Sequence, residues 1–389
     1  MDPTTRRQFI GSAAMLTGAG LVRAEESVPL APPDKQPEKL EVEEPSGKKA
    51  GWAIVGLGQL ALEEIMPAFA GCKHSKPVAL VSGHPDKALK VAKAHGIAED
   101  AIYDYENFDR IAEDERIDIV YIVLPNSMHA EFTIRALKAG KHVLCEKPMA
   151  VTVAEAEAME KAARDSGKKL GIAYRLHYEP MNRQVMEWCR SKRFGKVKAF
   201  NSGNCQNVEA PNIRLSRKLG GGPVGDVGVY SINAARYVLN EEPLEVTAYA
   251  SKPDDDPRFR EVPESVSFVM RYPSGAVASC LCSFGTAESR YYRAHCEKGV
   301  IEMDPAFSYR GLRLFTSSRE TEDAKAPMEL TEVIIEAVNH FTVEMDGFSS
   351  AVLDDAEVIT PAALGIADMK IVTAITRSIE SGNSVKVAD

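Results

Sequence analysis

The stretch WAIVGLGQLA at residues 52–61 decides the fold class of this chain. A short apolar run suited to a buried strand leads into a glycine-rich turn, and a helical pattern follows through Phe69. Gly56 permits the tight turn, and Gly58 lets the backbone approach a pyrophosphate closely. Ala61 lets the helix pack on the strand, and the N–H groups at the helix start face the phosphate charge. The stretch therefore predicts a dinucleotide-binding site.

The residues that follow repeat the pattern of a strand and then a helix. Short strands separated by helices predict a parallel sheet with helices on both faces. The strand-like runs lie at 78–81, 119–124 and 141–145, and the helices are expected near 85–95, 128–139 and 152–166. We predict a Rossmann-type, doubly wound α/β domain over residues 51–174.

The pattern changes beyond residue 195. Alternating apolar and polar residues with short connections predict an antiparallel sheet. The strand-like runs are 196–203, 244–252, 264–272, 275–283 and 290–297, and helices are expected near 332–347 and 360–380. We predict that residues 175–389 form an α+β domain with a large, open, mainly antiparallel sheet.

The N-terminal residues 1–24 have the features of a twin-arginine export signal. Arg6 and Arg7 precede a modest apolar stretch, and small residues near Ala24 suit a signal peptidase. The signal predicts delivery to the periplasm. Residues 25–50 are rich in proline and charge, which predicts an extended arm. Such an arm is either a disordered spacer or a segment that wraps a neighbouring subunit.

Composition excludes several classes of protein. Of the 389 residues, 44% are hydrophobic and 26% are charged, a globular balance. The formal net charge of −9 argues against bulk binding to nucleic acid or to an anionic membrane. No apolar run reaches about 18 residues, so no spanning helix is expected. The seven cysteines form no CxxC pair and no Cys/His cluster at zinc spacing, so no metal site is predicted.

The end of the second strand bears on the choice between NADP and NAD. An NAD site usually places an acidic residue there to bind the ribose 2′-hydroxyl. Here Ser82 takes that position, and Lys87 follows one helical turn on. Asp86 is acidic, but the first turn of a helix favours acids. We predict that the domain binds NADP rather than NAD.

Two segments carry residues suited to catalysis. Lys147 lies where a central strand ends, which is the edge at which open α/β sheets bind ligands. A solvated loop lysine is the alternative. Asp226 and Tyr230 are four residues apart at the start of a predicted helix and so share a face. An N-cap aspartate and an ordinary core tyrosine are the alternatives for that pair.

His129 lies at the start of a helix after a central strand. It either caps or packs that helix, or contacts the cofactor at the lip of the pocket.

Four motifs resemble those of the glucose–fructose oxidoreductase and inositol dehydrogenase family. They are AIVGLG at 53–58, LPNSMHAEF at 124–132, AGKHVLCEKPMA at 139–150 and GDVGVY at 225–230, in the order and spacing of that family. Longer matches, such as YRLHYEPMNR at 174–183, resemble its glucose–fructose oxidoreductase branch. The segment 206–217 and the chain after Asp323 depart from the pattern, which leaves the identity of the sugar open.

The resemblance implies a role for each matching residue. Lys147, Asp226 and Tyr230 would be catalytic, with the tyrosine as the base and the ammonium stabilising its phenolate. The sugar would be bound by these three residues together with Arg175, His177 and Tyr178. The cofactor would be bound by Gly56, Leu57, Gly58, Ser82, Lys87, Leu124, Pro125, Asn126, His129, Glu146 and Lys147.

The resemblance also implies an activity. We expect an oxidoreductase that oxidises an aldose to its lactone and reduces a second sugar to the alditol, with NADP held through turnover. A homo-oligomer formed through the open sheet face and the N-terminal arm is expected. One alternative is a sugar dehydrogenase that releases its cofactor. Another is a non-catalytic protein that senses a sugar or a nucleotide.

Overall fold

The structure is a computed structural model that describes residues 48–318 and 328–387. The predicted export signal and nearly all of the proline-rich arm lie outside the described residues. The first domain is a six-stranded parallel sheet of order β3-β2-β1-β4-β5-β6. Its strands are β1 (Ala50–Val55), β2 (Ser75–Val81), β3 (Ile102–Tyr103), β4 (Ile119–Ile122), β5 (His142–Glu146) and β6 (Leu170–Ala173).

Helices cover both faces of this sheet, as the strand–helix alternation predicts. The segment after the glycine-rich turn is a π-helical turn at Ala61–Ile65 that continues into the short helix α1 (Met66–Ala68). The strand order changes direction beside β1, and β1 pairs with β2 and β4. Ligands of open α/β sheets bind at this switch point. The remaining helices of the domain are α2 (Pro85–Ala94), α3 (His129–Lys138) and α4 (Val153–Ser166).

The second sheet has nine described strands in the order β14-β13-β12-β11-β7-β10-β9-β8-β15. All neighbours pair antiparallel except β7 and β10, which confirms a mainly antiparallel sheet. Helices pack on one face, and the other face is open. The strands are β7 (Val197–Asn207), β8 (Glu245–Ser251), β9 (Ser265–Arg271), β10 (Val277–Ser283), β11 (Gly285–Cys296), β12 (Gly299–Met303), β13 (Leu314–Ser318), β14 (Glu329–Val333) and β15 (Val385–Lys386).

Alternation along the central strands explains the two faces. Val246, Phe268 and Cys280 lie on the covered side and are buried, whereas Tyr249 and Val269 lie on the open side and are exposed. Cys280 and Cys282 lie two residues apart on the same strand, and both belong to the buried core. The helices of this part of the chain are α5 (Pro180–Arg190), α6 (Val229–Leu239), α7 (His340–Leu353) and α8 (Ala362–Ser381).

Helix α7 corrects the expectation for residues 332–347. The side chain of Asn339 accepts hydrogen bonds from the N–H groups of Phe341 and Thr342 and so starts the helix at His340. Residues 329–333 form the edge strand β14 instead. The helix packs back on the first sheet, where the Trp52 indole N–H donates to Ser349 Oγ at 2.9 Å. The first domain is therefore completed by residues from the far end of the chain.

Neither a membrane-spanning helix nor a cluster of metal-ligating side chains occurs in residues 48–318 and 328–387. No helix there is long and apolar enough to cross a membrane. No group of three or more His, Cys, Asp and Glu side chains in these ranges is placed to bind a metal ion.

Candidate active site

The glycine-rich turn after β1 has the geometry that a bound pyrophosphate requires. Gly56 has φ of +95°, and a Cβ there would lie 2.3 Å from the carbonyl oxygen of Val123. Only glycine fits this position. Gly58 differs, because a Cβ there would meet no heavy atom within 4 Å. The turn is therefore tight against the sheet at its first glycine and open at its second.

Ser82 and Lys87 lie beside this turn. Ser82 follows β2, is buried, and accepts a hydrogen bond at Oγ from the His84 N–H at 3.1 Å. Lys87 Nζ donates to the carbonyl oxygen of Leu57, at 3.2 Å, and desolvation lowers the pKa of this lysine. Asp86 lies in the first turn of α2, where an acid is favoured. The structure thus places an ammonium next to the turn.

These residues fit a dinucleotide. The open space at Gly58 admits a close approach of phosphate to the backbone, and a helical segment begins directly after it. Lys87 would add positive charge on the same side. Leu124 and Pro125 follow β4 at the carboxyl edge of the sheet, so they also line this side.

His129 has a structural role. Its ring is buried, with Nε2 2.9 Å from the carbonyl oxygen of Leu124 and Nδ1 2.8 Å from that of Pro148. Since both ring nitrogens face protein carbonyls, the side chain joins the loops after β4 and β5. The structure favours the packing alternative for His129 over the predicted cofactor contact. Asn126 likewise bonds within the protein, with its amide N–H donating to the Gly220 carbonyl at 2.8 Å.

Glu146 ends β5 and is buried. Its Oε1 accepts from the Tyr121 hydroxyl at 2.8 Å, and its Oε2 accepts from the Lys147 N–H at 3.2 Å. Burial raises the pKa of Glu146, although the charge of Lys147 opposes the shift. Its bonds with Tyr121 and the Lys147 backbone fix the start of the loop that carries Lys147.

Lys147 is not a solvated loop residue. Its side chain is 12% exposed, and Nζ donates to Asp226 at the carbonyl oxygen (2.9 Å) and at Oδ1 (3.2 Å). The ammonium lies 4.7 Å from the ring centre of Tyr230. Burial alone would lower the pKa of Lys147, but the charges of Tyr230 and Asp226 outweigh it and raise the pKa. The lysine therefore stays protonated beside the tyrosine.

Asp226 does not cap a helix. It lies within a π-helical turn at Val224–Gly228, and Gly228 is the cap of α6. Its carboxylate bridges Lys147 and Arg214, whose Nε donates to Oδ2 at 2.7 Å. Burial opposes ionisation, but the charges of Arg214 and Lys147 lower the pKa of Asp226 to about 2. The carboxylate is thus ionised at neutral pH and holds two cations.

Arg175 is buried behind the tyrosine. Its guanidinium carbon lies 5.3 Å from the ring centre of Tyr230 and 4.7 Å from that of Tyr309. Nη1 lies 2.7 Å from Nδ1 of His340, and burial lowers the pKa of that histidine to about 3. Arg175 therefore supports the ring of Tyr230 from the protein interior.

His177 and Tyr178 are also predicted to bind sugar, but only His177 lies next to a residue that lines the pocket. His177 Nε2 lies 2.7 Å from Oδ1 of Asn233, which lines the pocket beside Tyr230. Burial lowers the pKa of His177 to about 4, so the ring is neutral at pH 7. Tyr178 is buried, and its hydroxyl lies 3.2 Å from Thr360 Oγ1. Since that hydroxyl bonds in the core, we correct the prediction that Tyr178 lines the sugar pocket.

The chain matches two known domains in succession. Residues 50–174 match the oxidoreductase family with an NAD-binding Rossmann fold, and residues 182–302 match the GFO/IDH/MocA C-terminal domain. This chain belongs to the GFO/IDH/MocA family of oxidoreductases. The family predicted from the motifs is confirmed.

Similar members of the GFO/IDH/MocA family act on sugars. The crystal structure of aldose-aldose oxidoreductase from Caulobacter crescentus is 40% identical, has a TM-score of 0.82, and covers 87% of this chain and 100% of that chain. D-xylose 1-dehydrogenase (NADP(+)) 2 of Haloferax volcanii is 29% identical over 337 residues, 86% of this chain and 99% of that enzyme. The chain is thus an oxidoreductase of an NAD(P)-dependent sugar oxidoreductase family, with an NAD-binding Rossmann domain.

The sequence patterns did not predict three residues of this GFO/IDH/MocA site. Arg214 lies in the segment 206–217 that departs from the family pattern, and that departure was the one available signal. Tyr309 stacks on Arg175, and burial raises the pKa of Tyr309 to about 12. Glu344 on α7 is fully buried, with its Oε2 3.5 Å from the Tyr121 hydroxyl. Neither Tyr309 nor Glu344 lies in a motif, so only the tertiary fold identifies them.

Proposed function

We propose that this protein oxidises an aldose to its lactone and reduces a second sugar to the alditol, with NADP(H) retained between the two half-reactions. The observation that carries the proposal is the cluster of Lys147, Asp226 and Tyr230 at the carboxyl edge of the first sheet. Lys147 Nζ lies 3.2 Å from Asp226 Oδ1 and 4.7 Å from the Tyr230 ring centre. Alcohol oxidation needs a base that accepts the hydroxyl proton, and a tyrosine beside a fixed cation can supply it.

Tyr230 is the proposed acid/base. Oxidation of a sugar C1 hydroxyl releases a proton, which the phenolate of Tyr230 takes up. The ammonium of Lys147 stabilises that phenolate, and Asp226 keeps the ammonium in place. When bound, NADP supplies the hydride acceptor. In the second half-reaction Tyr230 returns the proton to the carbonyl oxygen of the sugar that is reduced.

The choice of NADP rests on the end of β2. Ser82 is neutral there, and Lys87 Nζ lies 3.2 Å from the Leu57 carbonyl of the glycine-rich turn. A neutral residue followed by a cation suits a 2′-phosphate, whereas an acid would repel it. The NADP-dependent xylose dehydrogenase supports the same choice.

The proposed retention of the cofactor rests on the predicted export signal at residues 1–24. The twin-arginine route carries folded proteins, so the cofactor can be loaded before export, and the periplasm offers no nicotinamide pool. The name of the aldose-aldose oxidoreductase fits two sugars in succession. With Arg6 and Arg7 both changed to Lys, we expect the active protein to remain in the cytoplasm, and cell fractionation with an activity assay checks this. Delivery of that variant to the periplasm would contradict export by this route.

A homo-oligomer is proposed through the open sheet face. Four apolar side chains on adjacent strands point to this side: Tyr249, Val269, Val277 and Leu281, which are 38–69% exposed. Contiguous exposed apolar surface of this kind is typical of a subunit contact. Analytical ultracentrifugation of the wild type and of Val269→Glu tests it, since a charge on this face should dissociate the oligomer. A wild-type monomer would contradict it.

The absorbance of the purified protein tests the whole reaction. After gel filtration and without added cofactor, an aldose should produce the reduced-nicotinamide band at about 340 nm. An excess of fructose or of a second aldose should then remove the band. A band that needs added NADP would establish the cofactor-releasing dehydrogenase instead. No band with added NADP and any aldose would favour a non-catalytic binding protein.

A further inference from the structure

The segment 206–217 brings a further charged side chain into the active site. Arg214 Nε donates to Asp226 Oδ2 at 2.7 Å, on the opposite side of the carboxylate from Lys147. The Arg214 side chain is 40% exposed, against 12% for Lys147 and 16% for Asp226. Arg214 is therefore the outermost member of this charged group, at the solvent side of the cluster.

Three hydrogen bonds fix the backbone of the loop that runs from Asn212 to Gly222 and carries Arg214. The side chain of Asn212 accepts from the Arg214 N–H at 3.0 Å. The Arg214 carbonyl accepts from the Gly222 N–H at 2.9 Å, and a Cβ on Gly221 would lie only 2.4 Å from that same oxygen. The Gly220 carbonyl in turn accepts from the Asn126 amide. The loop thus joins the two domains, and its arginine has a fixed backbone position.

The hydrogen-bond donors of Arg214 are not all used. A guanidinium carries five N–H groups in a planar fork. Nε bonds to Asp226, and within residues 48–318 and 328–387 the two Nη groups donate to no protein acceptor. Arg175 differs, because both of its Nη groups bond to the protein at Phe307, Ser308 and His340. Arg214 therefore presents two Nη groups beside Asp226 that no acceptor among the described residues uses.

We propose that Arg214 binds the substrate and selects among sugars, with its Nη groups donating to two adjacent hydroxyl oxygens of the aldose ring away from C1. The inference rests on the proposed function, whose substrate is an aldose. Two neighbouring oxygens match the spacing of the planar fork. The carboxylate of Asp226 partly balances the guanidinium charge, which suits neutral hydroxyls.

Deoxy sugars, which each lack one hydroxyl, test which oxygens of the aldose accept hydrogen bonds from Arg214. In the wild type, removal of a contacted hydroxyl should lower kcat/KM by about 10–100-fold, the value of a hydrogen bond to a charged group. In Arg214→Gln the same deoxygenation should cost less than about threefold, because the partner is gone. The KM of the parent aldose should rise by about 10–100-fold, and the fall in kcat should be smaller than this rise in KM. Each monodeoxy analogue of the preferred aldose is assayed with both proteins.

Arg217 supplies the matched control. It lies in the same loop, but its backbone N–H and its guanidinium bond to Glu261 at the surface. Arg217→Gln should leave every deoxy penalty and the KM unchanged. Arg214→Lys retains a cation without the fork and should keep part of the binding. Thermal melting of each variant shows that it is folded.

Three outcomes would overturn the proposal. The first is that Arg214→Gln leaves the penalty of every deoxy analogue unchanged. The second is an equal fall in kcat for all sugars at unchanged KM, which would mean that Arg214 acts only by holding Asp226. The third is a wild-type preference for a uronate that Arg214→Gln abolishes, which would assign the fork to a carboxylate. If the wild type turns over no sugar, the proposed function fails, and calorimetric binding of the same sugars still tests Arg214.

Discussion

The nucleotide side and the sugar side of this site differ in whether backbone or side chains form them. The nucleotide side is made largely of backbone, since Gly56 fixes the turn and Gly58 leaves space for a ligand. The sugar side is made of side chains from distant segments, with Lys147, Arg214 and Asp226 joined by two ion pairs. A binding site formed by the backbone depends on consecutive residues. A site formed by ion pairs between distant segments exists only after the chain has folded.

The two sides of the site should also respond differently to substitution. Damage to the nucleotide side should appear as backbone strain or weaker cofactor binding. Damage to the sugar side should appear in the chemistry, because the charged groups act on one another over short distances.

The largest effect is expected at Tyr230 and Lys147. Tyr230→Phe removes the acid/base but keeps the ring, so folding and cofactor binding should survive. Both half-reactions should slow by about 10²–10⁴, the usual contribution of one general acid/base. Lys147→Met should do similar damage, because the phenolate loses its cation. The double variant should be little slower than either single one, since residues that act as a unit are non-additive. Single-turnover kinetics of sugar oxidation and sugar reduction measure this.

Tyr178→Phe is the control for that loss. Its hydroxyl meets Thr360 in the core rather than the pocket, so both half-reactions should stay within about threefold of the wild type. A Tyr230→Phe enzyme that is equally active would show that Tyr230 is only a packing residue. The sugar side would then lack its proposed base.

The next effect separates the two glycines of the turn. Gly56→Ala introduces a Cβ 2.3 Å from a carbonyl oxygen at a φ of +95°. We expect it to destabilise the fold by at least about 1–3 kcal/mol, the usual strain of such a backbone position. Gly58→Ala meets open space and should change stability by no more than about 0.5 kcal/mol. It should still weaken NADP, because its methyl group projects into the space where the pyrophosphate would lie.

Thermal melting and NADP titration of the two glycine variants check this contrast. Equal loss of stability in both would mean that the turn is not tight at one glycine and open at the other. Unchanged NADP affinity in Gly58→Ala would place the pyrophosphate elsewhere.

The smallest effect is expected in cofactor choice. Ser82→Asp keeps an acceptor for the His84 N–H but places an anion near the proposed 2′-phosphate. NADP should weaken relative to NAD by roughly 1–3 kcal/mol. The ratio of Kd values for NADP and NAD measures the change, and Asp86→Asn is the control because that residue belongs to the helix start. A ratio that does not move in Ser82→Asp would remove Ser82 from the ribose site.

The sequence predicted most of the fold but not its far end. The strand–helix repeats and the alternating strands gave the two sheets, since each pattern is local. The helix expected near 332–347 begins instead at His340, where Asn339 caps it. Edge strands such as β14 were missed, because exposed residues on an edge carry little apolar periodicity. That α7 completes the first domain depends on contacts such as Trp52 with Ser349, far apart in the chain.

The candidate site likewise has features that the sequence predicted and features that only the tertiary structure decided. By itself the sequence determined the glycine-rich turn and the positions of Lys147, Asp226 and Tyr230, because motifs place them at strand and helix ends. Only the tertiary structure decided that Asp226 holds two cations, that the ring of His129 joins two loops, and that Tyr178 lies in the core. The physical reason is that a side chain's role depends on which groups surround it once the chain has folded. Arg214 lies 12 positions from Asp226 in the chain, and only the fold of the intervening loop makes them partners.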